Sequence, residues 1–123
     1  MKARIVTVCQ AGHTSDTVEK NREHVLGLLD LALSQKPDLV CLPETFTTAS
    51  LAPESIWDSA EPLPGPTTET VAERAKAGSC YVICPILTKR ESKLWNSAVV
   101  VDRSGGIAGV YDKAHPVTSS PDY

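Results

Sequence analysis

The sequence predicts an α/β fold in which short strands alternate with amphipathic helices. It opens on a β-branched segment from Ala3 to Cys9, acquires helical periodicity from Thr17 to Gln35, and then reaches the apolar run from Asp38 to Leu42. A strand, a helix and a strand in this order form a βαβ unit with parallel strands. Glu44 therefore follows the carboxyl end of the second strand, the edge where ligands bind in open α/β sheets.

The first helix is indicated by apolar spacing and by signals at both ends. Its apolar residues recur every three or four positions: Val18, Val25, Leu28, Leu29, Ala32 and Leu33. Asp16 and Glu19 have the spacing of a capping box, and Pro37 disfavours helical geometry at Lys36. The uninterrupted apolar run that follows is typical of a strand covered on both faces.

The remainder of the chain predicts a loop, a helix and three strands. The loop, residues 45–66, is rich in proline and has no period, so we expect no regular element in it. The helix is expected from Thr67 to Ala77, with Thr67 or Thr68 as its cap and Gly78 as its terminator. The strands are expected at 80–87, 94–102 and 107–111, the last two joined as a hairpin through residues 103–106. The order is β-α-β-α-β-β-β, and we expect one domain over residues 1–123.

Composition favours a globular protein whose partners are small molecules or other proteins. The chain has 123 residues, 41% of them apolar, and its 12 basic against 15 acidic residues give a net charge of −3. No dense basic block indicates nucleic acid or an anionic membrane as a partner, and no apolar stretch approaches the ~20 residues of a membrane span. The N-terminus does not resemble a signal peptide, so we expect a cytoplasmic location.

The cysteines are expected to be reduced and buried. Cys9, Cys41 and Cys84 lie in or at the ends of strand-like apolar runs. The spacing of Cys80 and Cys84 places both on one strand face but does not match a zinc site, so no metal is expected. A thiol–base pair of Cys9 with His13 is conceivable but weakly supported, since a strand cysteine is usually a small buried hydrophobe.

Three residues are candidates for chemistry, each with an ordinary structural alternative. Glu44, flanked by Leu42-Pro43 and Thr45-Phe46, would be partly desolvated and so suited to act as a general base; otherwise it is a solvated loop carboxylate. Lys113 could stabilise an oxyanion, or be a surface lysine after a hairpin. His115 could be a base, or a structural or exposed histidine.

Taken together, these residues resemble motifs of the nitrilase or carbon-nitrogen hydrolase superfamily. The run from Asp38 to Glu44 resembles the strand that ends in Leu-Pro-Glu, and the segment 96–102 followed by 105–109 resembles the Asn-Ser-Ala hairpin. Tyr111, Lys113 and His115 match the Tyr-x-Lys-x-His motif, although Asp112 and Pro116 stand where Arg and Leu are usual. The resemblance implies an αββα sandwich, of which this chain holds the N-terminal portion.

The resemblance also implies a mechanism without metal or organic cofactor. A cysteine thiolate would attack an amide, nitrile or carbamoyl carbon, with Glu44 as base and Lys113 as oxyanion stabiliser. Asn96, Tyr111 and His115 would support the site or line the substrate pocket. The nucleophile and a second Glu occur beyond the lysine motif in the family, so the domain is expected to be truncated before them and inactive alone.

Two functions of different class remain open at this stage. The parent protein could be an amidase- or nitrilase-type hydrolase acting on small-molecule substrates, assembled as a homodimer or larger oligomer, as the resemblance implies. Alternatively, the 123 residues form a complete non-catalytic remnant or a self-associating interaction module, because an incomplete sandwich would expose apolar sheet surface.

Overall fold

A computed structural model describes residues 2–10, 12 and 14–116 of the chain. The described strands are β1 (Ile5–Thr7), β2 (Leu39–Cys41), β3 (Tyr81–Arg90), β4 (Lys93–Val101) and β5 (Ile107–Asp112). The described helices are α1 (Val18–Leu33), α2 (Ile56–Ser59) and α3 (Pro66–Gly78), with a 3₁₀ turn at Pro53–Ser55. The α/β class and the predicted order of the long elements are confirmed.

The strands form one mixed sheet in the order β1-β2-β3-β4-β5. β1, β2 and β3 are parallel, whereas β3, β4 and β5 are antiparallel neighbours joined by short turns. The predicted βαβ unit and the predicted hairpin are both present. Glu44 consequently follows the carboxyl end of a parallel strand, and Lys113 follows the carboxyl end of β5.

Helices α1 and α3 cover one face of the sheet. Their residues Val25, Leu29, Val71 and Ala75 are fully buried in the same apolar cluster as Val40 of β2. Successive strand residues alternate between faces, so Leu39 and Cys41 point away from this cluster and are only half-buried. The expectation that β2 is covered on both faces is therefore wrong for the described residues, because the long helices pack on one side.

The start of α1 differs from the prediction. Thr17 is the N-cap, and its Oγ1 accepts a hydrogen bond of 3.3 Å from the backbone N–H of Lys20. Asp16 instead forms an exposed ion pair with the Lys20 ammonium at 3.8 Å, so the predicted Asp16–Glu19 capping box is wrong. The helix ends at Leu33, and Lys36 then takes a left-handed backbone (φ 52°) that turns the chain into β2.

The predicted loop contains short regular elements. The 3₁₀ turn and α2 interrupt it, and Ile56 and Ala60 pack on Leu87 of β3. Leu87 lies on the sheet face opposite α1 and α3, so α2 covers part of the second face. The proline-rich sequence of this segment has no helical period, and its short helix is stabilised by this tertiary contact. The second predicted helix, which is α3, begins one residue earlier than predicted, with Gly65 as its cap and Pro66 as its first residue.

Candidate active site

Glu44 lies in the turn immediately after β2. Pro43 precedes it, and Thr45 adopts a left-handed backbone (φ 45°), so the chain reverses direction directly after the carboxylate. The backbone N–H of Thr48 donates to the carbonyl of Thr45 at 3.0 Å and closes the turn. The turn therefore places Glu44 at the carboxyl edge of the sheet.

The segment after Glu44 is anchored from both sides. Phe46 is fully buried in the main core, and Gln10 donates to its carbonyl at 3.3 Å. Asn21 of α1, which is 1% exposed, donates through Nδ2 to the carbonyls of Thr47 (3.2 Å) and Ala49 (3.0 Å). These bonds fix the segment directly after Glu44 and so restrict the position of the turn that carries the carboxylate.

Sequence reasoning missed the role of Asn21. The available signal was a polar residue at a position that continues the apolar stripe of α1, between Val18 and Val25. A polar side chain on a buried helix face requires hydrogen-bond partners, and here the partners are the backbone carbonyls of the turn.

Lys113 and Asn96 both bind the same oxygen of Glu44. Lys113 Nζ lies 3.1 Å from Oε1 of Glu44, and Asn96 Nδ2 donates to Oε1 at 2.9 Å. Asn96 is 5% exposed, and its backbone carbonyl accepts a hydrogen bond of 2.9 Å from the backbone N–H of Lys113. Asn96 thus holds Glu44 with its side chain and Lys113 with its main chain.

An open cavity of about 270 Å³ lies beside this ion pair. The described residues that line it are Glu44, Pro85, Asn96, Ala98, Tyr111 and Lys113. Tyr111 pairs with Ala98 across β4 and β5, and its ring is on the same sheet face as the ion pair. The cavity therefore combines an apolar floor with a carboxylate, an amide and an ammonium group.

The predicted site residues are not all brought together. Four of them, Glu44, Asn96, Tyr111 and Lys113, line the cavity, whereas His115 is exposed in the bend that follows β5 and is not among the described lining residues. The Glu44 side chain is 60% exposed and that of Lys113 is 30% exposed. The partial desolvation expected for Glu44 is therefore small among the described residues, which leave most of its side chain exposed.

The cysteines differ from expectation at two positions, Cys9 and Cys41. The described cysteines are free thiols, with Cys80 and Cys84 fully buried, Cys41 half-buried and Cys9 exposed. Cys9 was expected to be buried, but it lies beyond the short strand β1, at an edge of the sheet. Burial raises the pKa of the Cys84 thiol strongly, with Glu61 adding to the effect, and burial also raises the pKa of Cys80. The proposed partner of Cys9, His13, lies outside the described residues.

A larger cavity of about 520 Å³ lies away from Glu44, beside the start of α3. Glu61 at its wall is 6% exposed, and it accepts hydrogen bonds from the backbone N–H of Thr67 (2.9 Å), from Thr67 Oγ1 (2.6 Å) and from Arg22 (3.3 Å). A carboxylate that is paired and bound to a helix N-terminus in this way stabilises the fold. The size of this cavity therefore does not make it the better candidate for catalysis.

The described residues contain neither a metal-binding cluster nor a membrane-spanning helix. Among residues 2–10, 12 and 14–116, no cluster of three or more His, Cys, Asp or Glu side chains has a geometry that could hold a metal ion. Within the same residues, no helix has the length and apolar character needed to cross a membrane.

Comparison with known proteins identifies related sequences and structures. The family model for carbon-nitrogen hydrolases matches residues 5–123. A β-ureidopropionase from Arabidopsis thaliana is 32% identical over 94 residues, which cover 72% of this chain and 23% of the relative. An omega-amidase from Bos taurus is 30% identical over 102 residues, which cover 82% of this chain and 37% of the relative.

A solved structure shows the same fold. The chain matches a carbon-nitrogen hydrolase superfamily protein from Xanthomonas campestris with a TM-score of 0.77 and 27% identity, over 95% of this chain and 43% of that one. The chain thus spans less than half the length of these relatives.

Proposed function

We propose that this chain, which belongs to the carbon-nitrogen hydrolase family, supplies the base and the oxyanion-stabilising lysine of an enzyme that cleaves non-peptide C–N bonds. The observation that carries the proposal is the convergence of Lys113 and Asn96 on Oε1 of Glu44, beside an open cavity. Motif resemblance predicted the base and the lysine, and their contact across 69 sequence positions supports a shared task.

In the proposed reaction, a cysteine Sγ outside this chain attacks the carbon of an amide, nitrile or carbamoyl group. Glu44 takes the thiol proton as the C–S bond forms, and the displaced π-electron pair moves to the substrate oxygen or nitrogen. Lys113 stabilises this developing negative charge by hydrogen bonding and by its own charge. With an amide or carbamoyl substrate, Glu44 then passes the proton to the departing nitrogen, and the C–N bond breaks to leave a thioester. With a nitrile, the proton goes to the nitrogen of a thioimidate, and the C–N bond breaks only after one water has added to the C=N bond, which releases ammonia and leaves the same thioester.

The second half of the proposed reaction uses the same groups. Glu44 takes a proton from water, the water oxygen attacks the thioester carbon, and Lys113 again stabilises the anion. The C–S bond then breaks, which releases the acid product and regenerates the thiol. Asn96 holds Oε1 of Glu44 throughout, so that one carboxylate oxygen keeps its orientation while the other exchanges protons.

We assign the nucleophile to a cysteine outside the 123 residues because none of the described residues that line the cavity is a cysteine. The raised pKa values of Cys80 and Cys84 further disfavour these two thiols, since the thiolate is the reactive form. The chain alone is therefore proposed to be inactive. Sequencing the reading frame past the codon for Tyr123 tests this assignment: a frame that encodes a Gly-x-x-x-Cys turn supports it, and a stop codon at position 124 overturns the enzymatic role of this chain.

The functional test compares variants of the protein that contains this segment. Hydrolysis of small amides, nitriles and N-carbamoyl amines is followed by release of ammonia or amine. Glu44→Gln and Lys113→Ala should each lower kcat on the order of 10²–10³-fold. Exposed residues provide matched controls, Glu54→Gln and Lys76→Ala, which should leave kcat unchanged. Rates near those of the parent in both site variants would refute the assigned roles.

A further inference from the structure

The register of β5 is only weakly fixed by burial of its side chains. β5 is an edge strand of the described sheet and pairs with β4 alone. Ile107 and Val110 are each 40% exposed and Tyr111 is 64% exposed. The ladder is also irregular between Val100 and Val101. A strand with so few buried side chains loses little apolar burial when it slips along its neighbour.

The position of Lys113 depends on this register. Side chains alternate between the two faces of a strand, so a slip of one residue would move Lys113 to the face opposite Glu44. In the observed register, Ser97 pairs with Asp112, and the next backbone N–H, that of Lys113, donates to the carbonyl of Asn96. The ladder thus extends one hydrogen bond past β5 and ends at Lys113.

A polar network on the opposite face holds this last pair together. Ser97 Oγ lies 2.7 Å from Oδ1 of Asp112, and the Arg90 guanidinium forms an ion pair with the same oxygen. Thr88 Oγ1 lies 2.8 Å from Ser97 Oγ and accepts from Arg90 Nε at 3.3 Å. Arg90 also packs over the Trp95 ring at 5.3 Å from its centroid. Two neighbouring strands, β3 and β4, therefore build the binding site for the Asp112 carboxylate of β5.

We propose that Asp112 is a positioning residue that locks β5 in register and thereby keeps Lys113 on the face of Glu44. The inference deepens the function proposed above and rests on it for its catalytic consequence. Only in the observed register does Asp112 face Ser97 and Arg90, so a slip would leave the carboxylate and the guanidinium unpaired. The opposite charges of Asp112 and Arg90 are thus paired only in this register.

The test measures register and not activity. Asp112→Ala is compared with Asp30→Ala, which removes a carboxylate from a comparable ion pair with Arg74, on the two long helices. Amide hydrogen exchange at Lys113 and cross-strand NOEs for Ser97–Asp112 and Ala98–Tyr111 are recorded by NMR. We expect Lys113 exchange to accelerate about tenfold and these NOEs to weaken in Asp112→Ala only.

Two further variants make the outcome decisive. Ser97→Ala removes one donor to the carboxylate and should give a smaller loss of protection, which serves as the test if Asp112→Ala fails to fold. The exchanged pair Arg90→Asp with Asp112→Arg should restore protection, because it depends on opposite charges. Unchanged exchange and NOEs in Asp112→Ala or Ser97→Ala, or failure of the exchanged pair to rescue, would overturn the proposal.

The catalytic consequence has a separate readout. In an active protein that contains this segment, Asp112→Ala should lower kcat with little change in KM, because Lys113 acts on the developing charge and not on substrate binding. If Asp112→Ala disturbs the register as expected but Glu44→Gln and Lys113→Ala leave the rate unchanged, the proposed function alone is refuted. Unchanged exchange and NOEs in Asp112→Ala, together with the expected rate losses in Glu44→Gln and Lys113→Ala, would refute this inference alone.

Discussion

Asn96 joins the two charged residues of the candidate site, because its side chain donates to Glu44 and its carbonyl accepts from the backbone of Lys113. It is 5% exposed, whereas the Glu44 side chain is 60% exposed. The buried amide is thus the fixed partner, and the carboxylate is oriented by it. The position of the site is therefore set by β4, the strand that carries Asn96.

The first prediction concerns this orienting amide. Asn96→Leu keeps the approximate volume but removes the donor to Glu44, so the carboxylate should sample other rotamers and kcat should fall about 10- to 100-fold. Steady-state kinetics of an active protein that contains this segment measure the effect. Asn21→Leu is an informative comparison, because it frees the far side of the Glu44 turn without touching the carboxylate. A rate unaffected by Asn96→Leu would show that Glu44 needs no orienting donor.

The sequence predicted the parts of the site that follow from strand order. Glu44 is placed by a βαβ unit and Lys113 by a hairpin, and both patterns depend on local periodicity and turn residues. The anchoring of the Glu44 turn by Asn21 and Phe46 could not be predicted, because it depends on contacts between residues that are distant in sequence. The exposure of Glu44 is likewise a property of what surrounds it and not of its flanking residues.

A second prediction concerns the buried carboxylate of Glu61. Glu61→Ala would remove the carboxylate partner of Arg22 and the acceptor for the Thr67 N–H at the start of α3, so the free energy of unfolding should fall by about 3 kcal/mol. Urea denaturation measures this change. Glu69 is an exposed carboxylate in the first turn of α3, and Glu69→Ala should lower the free energy of unfolding by less than about 1 kcal/mol. Equal losses in the two variants would show that the Glu61 network adds nothing specific.

A third prediction follows from the turn between β4 and β5. The side chain of Asp102 accepts hydrogen bonds from Ser104 Oγ (2.6 Å) and from the backbone N–H groups of Ser104 and Gly106, and these bonds, led by the Ser104 side chain, lower its pKa. A lowered folded-state pKa stabilises the protein above the ordinary aspartate pKa and loses this effect as pH falls through the folded value. The Tm difference between the parent and Asp102→Asn should therefore shrink on acidification. A difference that is constant with pH would exclude the ionised carboxylate as its cause.

A fourth prediction tests self-association through the sheet face opposite α1 and α3, which α2 covers only in part. Ile5 and Tyr81 are paired in register with Leu39, on the face that also carries Tyr111, and they are 60% and 40% exposed. Apolar sheet faces of this kind favour association, so we expect light scattering to give a dimer or larger mass for the chain. Ile5→Lys with Tyr81→Lys should shift it to monomer, whereas Leu31→Lys on α1 should not. A monomer at every concentration would contradict the oligomer prediction.

The last prediction ranks the thiols by reactivity. Only an accessible thiolate can attack the sulfur of a disulfide reagent and displace its thiol. In the folded chain Cys9 should therefore react first, and Cys84 should react only after unfolding because it is fully buried and its pKa is raised. Stopped-flow labelling with and without urea measures the phases. Cys9→Ser should remove the fast phase, and Cys84→Ser should leave it intact. A catalytic cysteine must be both accessible and ionised. Labelling of Cys84 in the folded state at the rate of Cys9 would therefore contradict its exclusion as the nucleophile.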